Sequence, residues 1–257
     1  MGKIMSFSNQ KGGVGKTTTA INMAAYTAKA GRKVLLVDFD PQGNATSGYG
    51  LDKSSLENTV YNLLLGECSL QDVVLETEIE NLHIIPANID LAAAEVDLVS
   101  LPRRESRLKE VLAPLKEVYD YVFIDCPPSL GLITLNALVA SDQVIIPIQS
   151  EFFALEGLVQ LMNTIKIVKQ RLNANLTING VVLTMHDTRT SMSKQVTAEL
   201  YKYFGDKIYT IPVPRNVKLV ESPSFGVPIM IHAPRCAGAN AYSALTDQFL
   251  QRSENNG

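Results

Sequence analysis

The sequence has few of the residues that build metal clusters or cross-linked domains. Its 257 residues include three cysteines and three histidines. Cys68, Cys126 and Cys236 are far apart and no C-x-x-C occurs, which excludes zinc-ribbon and thioredoxin-like sites. The sparse, odd cysteine number favours a reducing compartment, so we expect a cytoplasmic protein. No apolar run approaches the ~18 residues of a membrane span, and no membrane association is expected.

The chain also lacks a large excess of charge of either sign. The formal net charge is −3, with 46% hydrophobic and 19% charged residues, which is ordinary globular composition. There is therefore no overall basic signal for nucleic acid. The charge is uneven, however: residues 1–150 hold 12 Lys/Arg and 18 Asp/Glu, and residues 151–257 hold 11 and 8. The second part permits a local anionic partner.

Short apolar runs alternate with helix-like patterns along the whole sequence. The apolar runs predict strands over residues 3–8, 33–38, 82–86, 121–125, 143–147, 177–183 and 207–211. Helical spacing predicts helices over residues 17–30, 104–118, 132–140, 155–172 and 194–204, one from about residue 91, and a last one near the end. Strands that are apolar on both faces and separated by helices indicate a parallel sheet covered on both sides. We expect one α/β domain over residues 1–257, doubly wound and mostly parallel, with its ligand beyond the carboxyl ends of the strands.

The first predicted strand leads into a glycine-rich loop. Residues 10–18 read QKGGVGKTT, which matches the end of G-x-x-x-x-G-K-[ST], although Gln10 replaces the first glycine. Glycines let backbone N–H groups converge on phosphate oxygens, and the following helix N-terminus favours anions. The Lys16 side chain is suited to the β- and γ-phosphates, and the Thr17 hydroxyl to Mg²⁺. The loop predicts a nucleotide-binding site.

Two apolar strands end in carboxylates. Asp38 ends the second strand and Asp40 follows it, whereas Asp125 ends the strand at 121–125 in the Walker B pattern. Asp40 is expected to orient or deprotonate the attacking water, or to hold Mg²⁺ through water, and Asp125 to hold Mg²⁺. A turn or helix-capping role stays open for Asp40 and, more strongly, for Asp38.

Several segments together resemble the ParA/Soj family, ATPases of chromosome and plasmid partition with an altered Walker A loop. They are residues 11–18 (KGGVGKTT), 38–44 (DFDPQGN) and 125–131 (DCPPSLG), continued by 151–157 (EFFALEG) and 214–219 (PRNVKL). The resemblance covers nearly the whole chain. Because the chain starts almost at the first strand, it resembles the short chromosomal type of the family.

The resemblance implies a P-loop NTPase fold of the deviant Walker type and a set of site residues. Lys11 matches the signature lysine that crosses a dimer interface to the other subunit's ATP. Lys16 and Asp40 complete the implied catalytic group, and Thr17, Asp40 and Asp125 the Mg²⁺ group. The implied nucleotide-binding residues are Lys11, Gly12, Gly13, Val14, Gly15, Lys16, Thr17, Thr18, Pro214 and Asn216, of which the last two flank the adenine.

The family's partners follow from the same resemblance. Its ATP-bound homodimer binds double-stranded DNA without sequence preference, and the matching positions are Arg189 and Lys218, with Arg235 as a third. Residues 185–235 hold seven Lys/Arg and four Asp/Glu, which agrees with a modest basic surface. A ParB-type centromere-binding partner stimulates hydrolysis, which implies a nucleoid-associated protein.

Three other functions share parts of these patterns. A MinD-like membrane-cycling ATPase, the principal alternative, needs a terminal amphipathic helix with a basic face, but residues 247–257 hold one arginine and two acidic residues. A reductase like the nitrogenase iron protein needs two cysteine ligands per subunit, and Cys126 has no well-placed partner. A metabolic kinase or synthetase needs acceptor-site residues, and none is identified.

Overall fold

A seven-stranded sheet organises the described part of the chain. The computed structural model describes residues 1–151 and 154–255; Phe152 and Phe153, within the 151–157 segment of the family resemblance, lie outside the described residues, as do Asn256 and Gly257. The strands are β1 (Lys3–Phe7), β2 (Val34–Asp38), β3 (Leu75–Glu76), β4 (Leu82–Ile85), β5 (Tyr121–Asp125), β6 (Gln143–Gln149) and β7 (Thr177–Thr184). Their order is β3-β4-β2-β5-β1-β6-β7, with β3 antiparallel to β4 and every other pair parallel.

Helices connect the strands and cover the sheet. They are α1 (Lys16–Lys29), α2 (Asn44–Gly48), α3 (Val60–Leu65), α4 (Leu70–Val73), α5 (Ala94–Asp97), α6 (Arg107–Leu112), α7 (Leu132–Ala140), α8 (Ala154–Arg171), α9 (Ser191–Phe204), α10 (Val217–Glu221), α11 (Ile229–His232) and α12 (Ala237–Asn255). Short 3-10 segments lie at Ile89–Ala93, Leu98–Ser100, Ala113–Glu117, Gly205–Lys207 and Ser222–Phe225. None of the helices within the described ranges is long and apolar enough to cross a membrane.

The strands are apolar on both faces because helices pack on both. Leu35 and Leu36 are adjacent and fully buried, yet they belong to different clusters, since successive side chains of a strand point to opposite faces. Leu36 packs on the side of α1 and α12, and Leu35 on the side of α3, α6 and α7. A third cluster lies between β6, β7, α8 and α9. The doubly wound, mostly parallel fold is confirmed, whereas one domain over residues 1–257 stays a prediction.

Two predicted elements are wrong. The strand over residues 207–211 does not form: Ile208 makes only an isolated bridge to Val181. The Tyr209 N–H donates to Val181 and the next such bond to β7 is from Val213 to Leu183, so the register of a parallel ladder is broken between them. The helix over residues 104–118 is shortened to α6 and then continues as a 3-10 segment, because Pro114 cannot donate within an α-helix.

Other elements differ in length rather than in kind. The helix from about residue 91 is a 3-10 segment followed by the four-residue α5, and the predicted strand at 143–147 extends to Gln149. The two-residue edge strand β3 was not predicted, since it is too short to show alternation. The carboxyl ends of β1, β2, β5, β6 and β7 all lie at one edge of the sheet, where the phosphate loop begins.

Candidate nucleotide-binding site

The loop between β1 and α1 has the backbone that its glycines predict. Gly13 and Gly15 have φ angles of 72° and 81°, in the left-handed region that side chains rarely adopt. Gly15 is also the N-cap of α1, and neither a side-chain cap nor an acidic residue occupies the first turn. The N–H groups at the start of α1 are therefore available to an anion.

Lys16 is buried at the base of this loop. Its Nζ donates a hydrogen bond to the Lys11 carbonyl oxygen at 3.3 Å. Burial lowers the pKa of the Lys16 ammonium, and Asp125, Cys126 and Asp40 oppose that shift. A largely desolvated cation that faces carboxylates is suited to bind phosphate, because its attraction for an anion is weakly screened there.

Asp125 carries the most perturbed carboxylate of the site. It is register partner to Asp38 on the neighbouring strand, and among the described residues neither of its oxygens accepts a hydrogen bond of normal geometry, although the Thr17 hydroxyl lies nearby. Burial and then the nearby Asp38 raise its pKa well above the ordinary range, with the Thr17 hydroxyl and Lys16 in opposition. An orphaned, buried carboxylate of this kind needs a cation or a proton.

The residues around Asp125 fit Mg²⁺. No group of three or more His, Cys, Asp or Glu side chains able to hold a metal occurs within residues 1–151 and 154–255. Mg²⁺ needs no such group, because it is commonly held by one or two protein oxygens, waters and substrate phosphates. Thr17 and Asp125 provide such oxygens at the phosphate loop, and Asp40 lies in the same pocket.

Asp38 and Asp40, two residues apart, are held differently. The Asp38 carboxylate accepts hydrogen bonds from the Thr46 N–H and the Thr46 hydroxyl, both at 2.7 Å, so it fixes α2 to the sheet. Burial raises the pKa of Asp38 to about 6. The Asp40 carboxylate accepts from the Gln42 N–H at 2.9 Å and lines the pocket beside Lys16. The capping interpretation therefore holds for Asp38, whereas Asp40 combines a turn with a place in the pocket.

Two adjoining cavities lie along the phosphate loop and together make up the candidate nucleotide cleft. The first, of about 340 Å³, is lined by Gly12, Gly13, Gly15, Lys16, Thr17, Thr18, Asp40, Gln42, Asn44, Pro128 and Met185. The second, of about 400 Å³, is mainly apolar and includes Pro214, Asn216, Val217, Leu219 and Tyr242. They share Gly15, Thr18 and Met185. A polar end next to an apolar end suits the phosphates and the base of a nucleotide.

Two of the predicted nucleotide-binding residues lie outside the two cavities. Val14 is fully buried, and its carbonyl oxygen accepts from the Thr184 hydroxyl at 2.7 Å, which fastens the loop to β7. The Lys11 side chain turns to Glu151, with its Nζ 3.1 Å from Oε2. Arg215 lies 3.9 Å from the same carboxylate. The predicted roles of Val14 and Lys11 toward a nucleotide stay predictions.

Sequence reasoning missed several residues of the cleft. Gln149 donates from Nε2 to the Gly13 carbonyl oxygen at 3.2 Å, and Met185 lines both cavities with a φ of 48°. Gln42 and Asn44 lie within a segment that carried the family resemblance, but no role was assigned to them. Gln149 ends β6 and Met185 directly follows β7, and this position at a strand end is the only signal in the sequence.

The three predicted DNA-binding residues are all exposed. Arg189 forms a two-point ion pair with Asp187, with Nε–Oδ1 at 2.9 Å and Nη2–Oδ2 at 2.8 Å. Lys218 on α10 donates from Nζ to Glu221 Oε2 at 2.8 Å. Arg235 lies in the turn before α12. Arg189 and Lys218 both lie close in sequence to cleft residues, on segments that leave the nucleotide site.

Comparison with known proteins identifies the family. A family model described as an AAA domain matches residues 2–178. The sporulation initiation inhibitor protein Soj of Bacillus subtilis (strain 168) is 54% identical over 248 residues, 96% of this chain and 98% of Soj. The chromosome partitioning protein ParA of Myxococcus xanthus (strain DK1622) is 50% identical over 252 residues, 98% of this chain and 89% of ParA. The chain belongs to the ParA/Soj family of ATPases.

A solved structure supports the fold of this ParA/Soj chain. Cobyrinic acid a,c-diamide synthase from Mycobacterium smegmatis, with bound ATP analogue and magnesium, has a TM-score of 0.88 and 36% identity. The match covers 100% of this chain and 98% of that chain. The P-loop NTPase fold expected from the ParA/Soj resemblance is therefore confirmed.

Proposed function

We propose that this ParA/Soj ATPase is a nucleotide-gated DNA-binding protein that segregates a chromosome or plasmid together with a ParB-type partner. One observation carries the proposal: the candidate nucleotide cleft lies beside segments that expose the cations Arg189 and Lys218. The names of the Soj and ParA relatives support the partition role.

The enzyme hydrolyses ATP with Mg²⁺. In the site, Lys16 and the N–H groups at the start of α1 bind the phosphates. Thr17 and Asp125, with Asp40 nearby, hold the metal, which neutralises charge on the phosphates when it is bound. Asp40 lines the pocket beside Lys16 and orients the attacking water, and we expect turnover to be slow without a stimulating partner.

Dimerisation supplies the residue that each separate site lacks. Lys11 is at the rim and is held by Glu151 of its own subunit. In the proposed homodimer Lys11 leaves this ion pair and reaches the phosphates bound by the other subunit. ATP then favours the dimer, because the triphosphate provides the negative charge that attracts a second cation.

The proposed dimer binds DNA through basic side chains, of which each subunit contributes only a few. Arg189, Lys218 and Arg235 each contact phosphates without reading bases. Doubling this surface roughly doubles the phosphate contacts and makes binding more sensitive to salt. ATP-gated dimerisation therefore gates association with the nucleoid, and a ParB-type partner that stimulates hydrolysis ends it.

The first experiment measures binding to an unrelated duplex without nucleotide, with ADP and with ATP, at two salt concentrations. We expect ATP-dependent, salt-sensitive binding that Arg189→Glu abolishes. Arg103→Glu is the matched control, because Arg103 is likewise exposed and paired with a carboxylate, at 3.1 Å from Glu110, but lies in the acidic part of the chain. Dimerisation with ATP and no DNA binding contradicts the proposal, and binding of the ATP dimer to anionic vesicles favours the MinD-like alternative.

A further inference from the structure

The ends of β6 and β7 are both fastened to the phosphate loop. They are neighbouring strands, with Gln149 paired with Thr184 in the last register position. The Thr184 hydroxyl donates to the Val14 carbonyl oxygen at 2.7 Å, and Gln149 Nε2 donates to the Gly13 carbonyl oxygen at 3.2 Å. The residues that follow these two positions are therefore placed by the conformation of the phosphate loop.

His186, which follows β7, contacts the end of β6, helix α9 and the segment around Val213. Its Nδ1 lies 2.9 Å from Ser150 Oγ at the end of β6 and 3.1 Å from Ser193 Oγ on α9. Its backbone N–H donates to the Val213 carbonyl oxygen at 3.0 Å, in the segment that leads to the base end of the cleft. Both ends of the nucleotide cleft thus connect to His186, one through its imidazole and the other through its backbone N–H.

The imidazole of His186 lies among hydroxyl groups. The Thr197 hydroxyl donates to Ser150 Oγ at 3.4 Å, and Ser150 Oγ in turn lies 2.9 Å from His186 Nδ1. Because a hydroxyl can both donate and accept, the cluster suits a neutral imidazole. Burial lowers the pKa of His186, against the opposing charge of Asp187, and so favours this neutral form.

The segment that carries Arg189 begins directly after His186. Thr190 caps α9 by accepting from the Ser193 N–H at 3.2 Å, while the Ser193 hydroxyl contacts the imidazole. Both ends of the four-residue segment 187–190 are thereby attached to His186. Within it, Arg189 is bound at two points to Asp187. Two arrangements are open to the arginine, one turned to Asp187 and one turned to a DNA phosphate.

We propose that His186, with Ser150 and Ser193, is the positioning cluster through which an occupied nucleotide cleft sets the conformation of the Arg189 segment. The inference rests on the proposed function, because it explains how ATP changes DNA affinity. A nucleotide in the cleft lies against Met185, the residue before His186, and against the segment that follows Val213. Through the cluster, a bound nucleotide changes the conformation of residues 187–190. The two states of this segment are one with Arg189 paired to Asp187 and one with Arg189 turned to a DNA phosphate.

The test compares DNA affinity with ATP and with ADP in several variants, alongside ATP affinity and ATP-dependent dimerisation. In His186→Ala we expect the ATP-over-ADP gain in DNA affinity to fall about tenfold, with ATP affinity and dimerisation within about twofold of wild type. His186→Asn restores most of the gain, because its amide oxygen lies near the position of Nδ1. His186→Gln does not, because its amide extends toward the position of Nε2.

Variants at other positions test the same coupling without replacing His186, in case His186→Ala folds poorly. The double variant Ser150→Ala/Ser193→Ala removes both hydroxyl partners and loses the gain, whereas the exposed Ser191→Ala does not. Coupling is reciprocal, so DNA raises ATP affinity in the wild type by the same factor and this increase is lost with the cluster.

The outcomes separate the inference from the function on which it rests. If the wild type gains no DNA affinity with ATP, the proposed function fails. If the wild type gains affinity and His186→Ala or the double serine variant keeps the full gain, the coupling role of His186 is wrong. A parallel loss of ATP affinity or dimerisation in those variants also overturns it.

Discussion

At the scale of single residues, the site contains buried carboxylates whose mutual repulsion and desolvation a bound cation relieves. Asp125 and Asp38 are both buried, are adjacent in register, and have raised pKa values. A carboxyl whose pKa is raised in the folded state binds more protons there than in the unfolded chain. The free energy of unfolding therefore decreases as the pH increases from the ordinary carboxyl range through the raised pKa.

Removing the charge of Asp125 tests this raised pKa. In the nucleotide-free protein, Asp125→Asn increases the free energy of unfolding near neutral pH and reduces its decline as the pH increases above the ordinary carboxyl range. Urea unfolding of wild type and variant at acidic and at neutral pH measures this, with the exposed Asp206→Asn as control. The same variant loses Mg²⁺-dependent ATP hydrolysis. An equally steep decline in the variant contradicts the assignment.

A second residue-scale prediction concerns the ion pair that holds Lys11. Glu151→Gln breaks the pair, which is exposed and worth about 0.2–1 kcal/mol in each subunit. Because two lysines are released in each dimer, we expect ATP-dependent dimerisation to tighten about two- to thirtyfold. Sedimentation equilibrium with a non-hydrolysable ATP analogue measures it. Glu156→Gln, an exposed glutamate on α8, is the matched control and leaves dimerisation unchanged. Weaker dimers in Glu151→Gln show that the pair serves another purpose.

At the scale of secondary-structure elements, a single hydroxyl attaches α2 to the sheet. The Thr46 hydroxyl donates to Asp38 Oδ2 at 2.7 Å and accepts from the Ala87 N–H at 2.9 Å, all within the buried interior. Thr46→Val keeps the shape but leaves a buried N–H unpaired and takes one donor from a buried carboxylate. We expect a loss of about 2 kcal/mol in the free energy of unfolding, measured with urea. Thr46→Ser keeps the hydroxyl and recovers most of the stability.

Element types could be predicted where the local pattern and the packing agree. The helix at 132–140 and the strand at 121–125 have their predicted bounds, because each is mostly apolar and packs between two hydrophobic clusters. At 207–211 Ile208 and Tyr209 are buried, and Tyr209 packs against Gly180, but the segment is a loop. Hydrophobicity reports burial, whereas a strand also needs a regular hydrogen-bonded register with its neighbour, which this segment does not have.

At the scale of the whole molecule, a net charge of −3 means that DNA binding depends on a local surface. If Arg235 contacts one phosphate in each subunit of the ATP-bound dimer, Arg235→Ala reduces the slope of log K against log salt concentration by about 1.8. Fluorescence anisotropy of a labelled duplex over a salt series measures the slope. Arg103→Ala, in the acidic part of the chain, leaves it unchanged. An unchanged slope in Arg235→Ala removes that residue from the contact surface.

The fold class, the phosphate loop and the family can be predicted from local properties of the sequence. Left-handed φ angles need Gly13 and Gly15, and buried parallel strands need uninterrupted apolar runs. Which side chains meet becomes apparent only in the folded chain. Lys11 pairs with the distant Glu151 and His186 with Ser150, while Asp38 and Asp40 differ in the direction in which their side chains point. Such contacts depend on how the strand ends are arranged at the sheet edge, and no local pattern contains that arrangement.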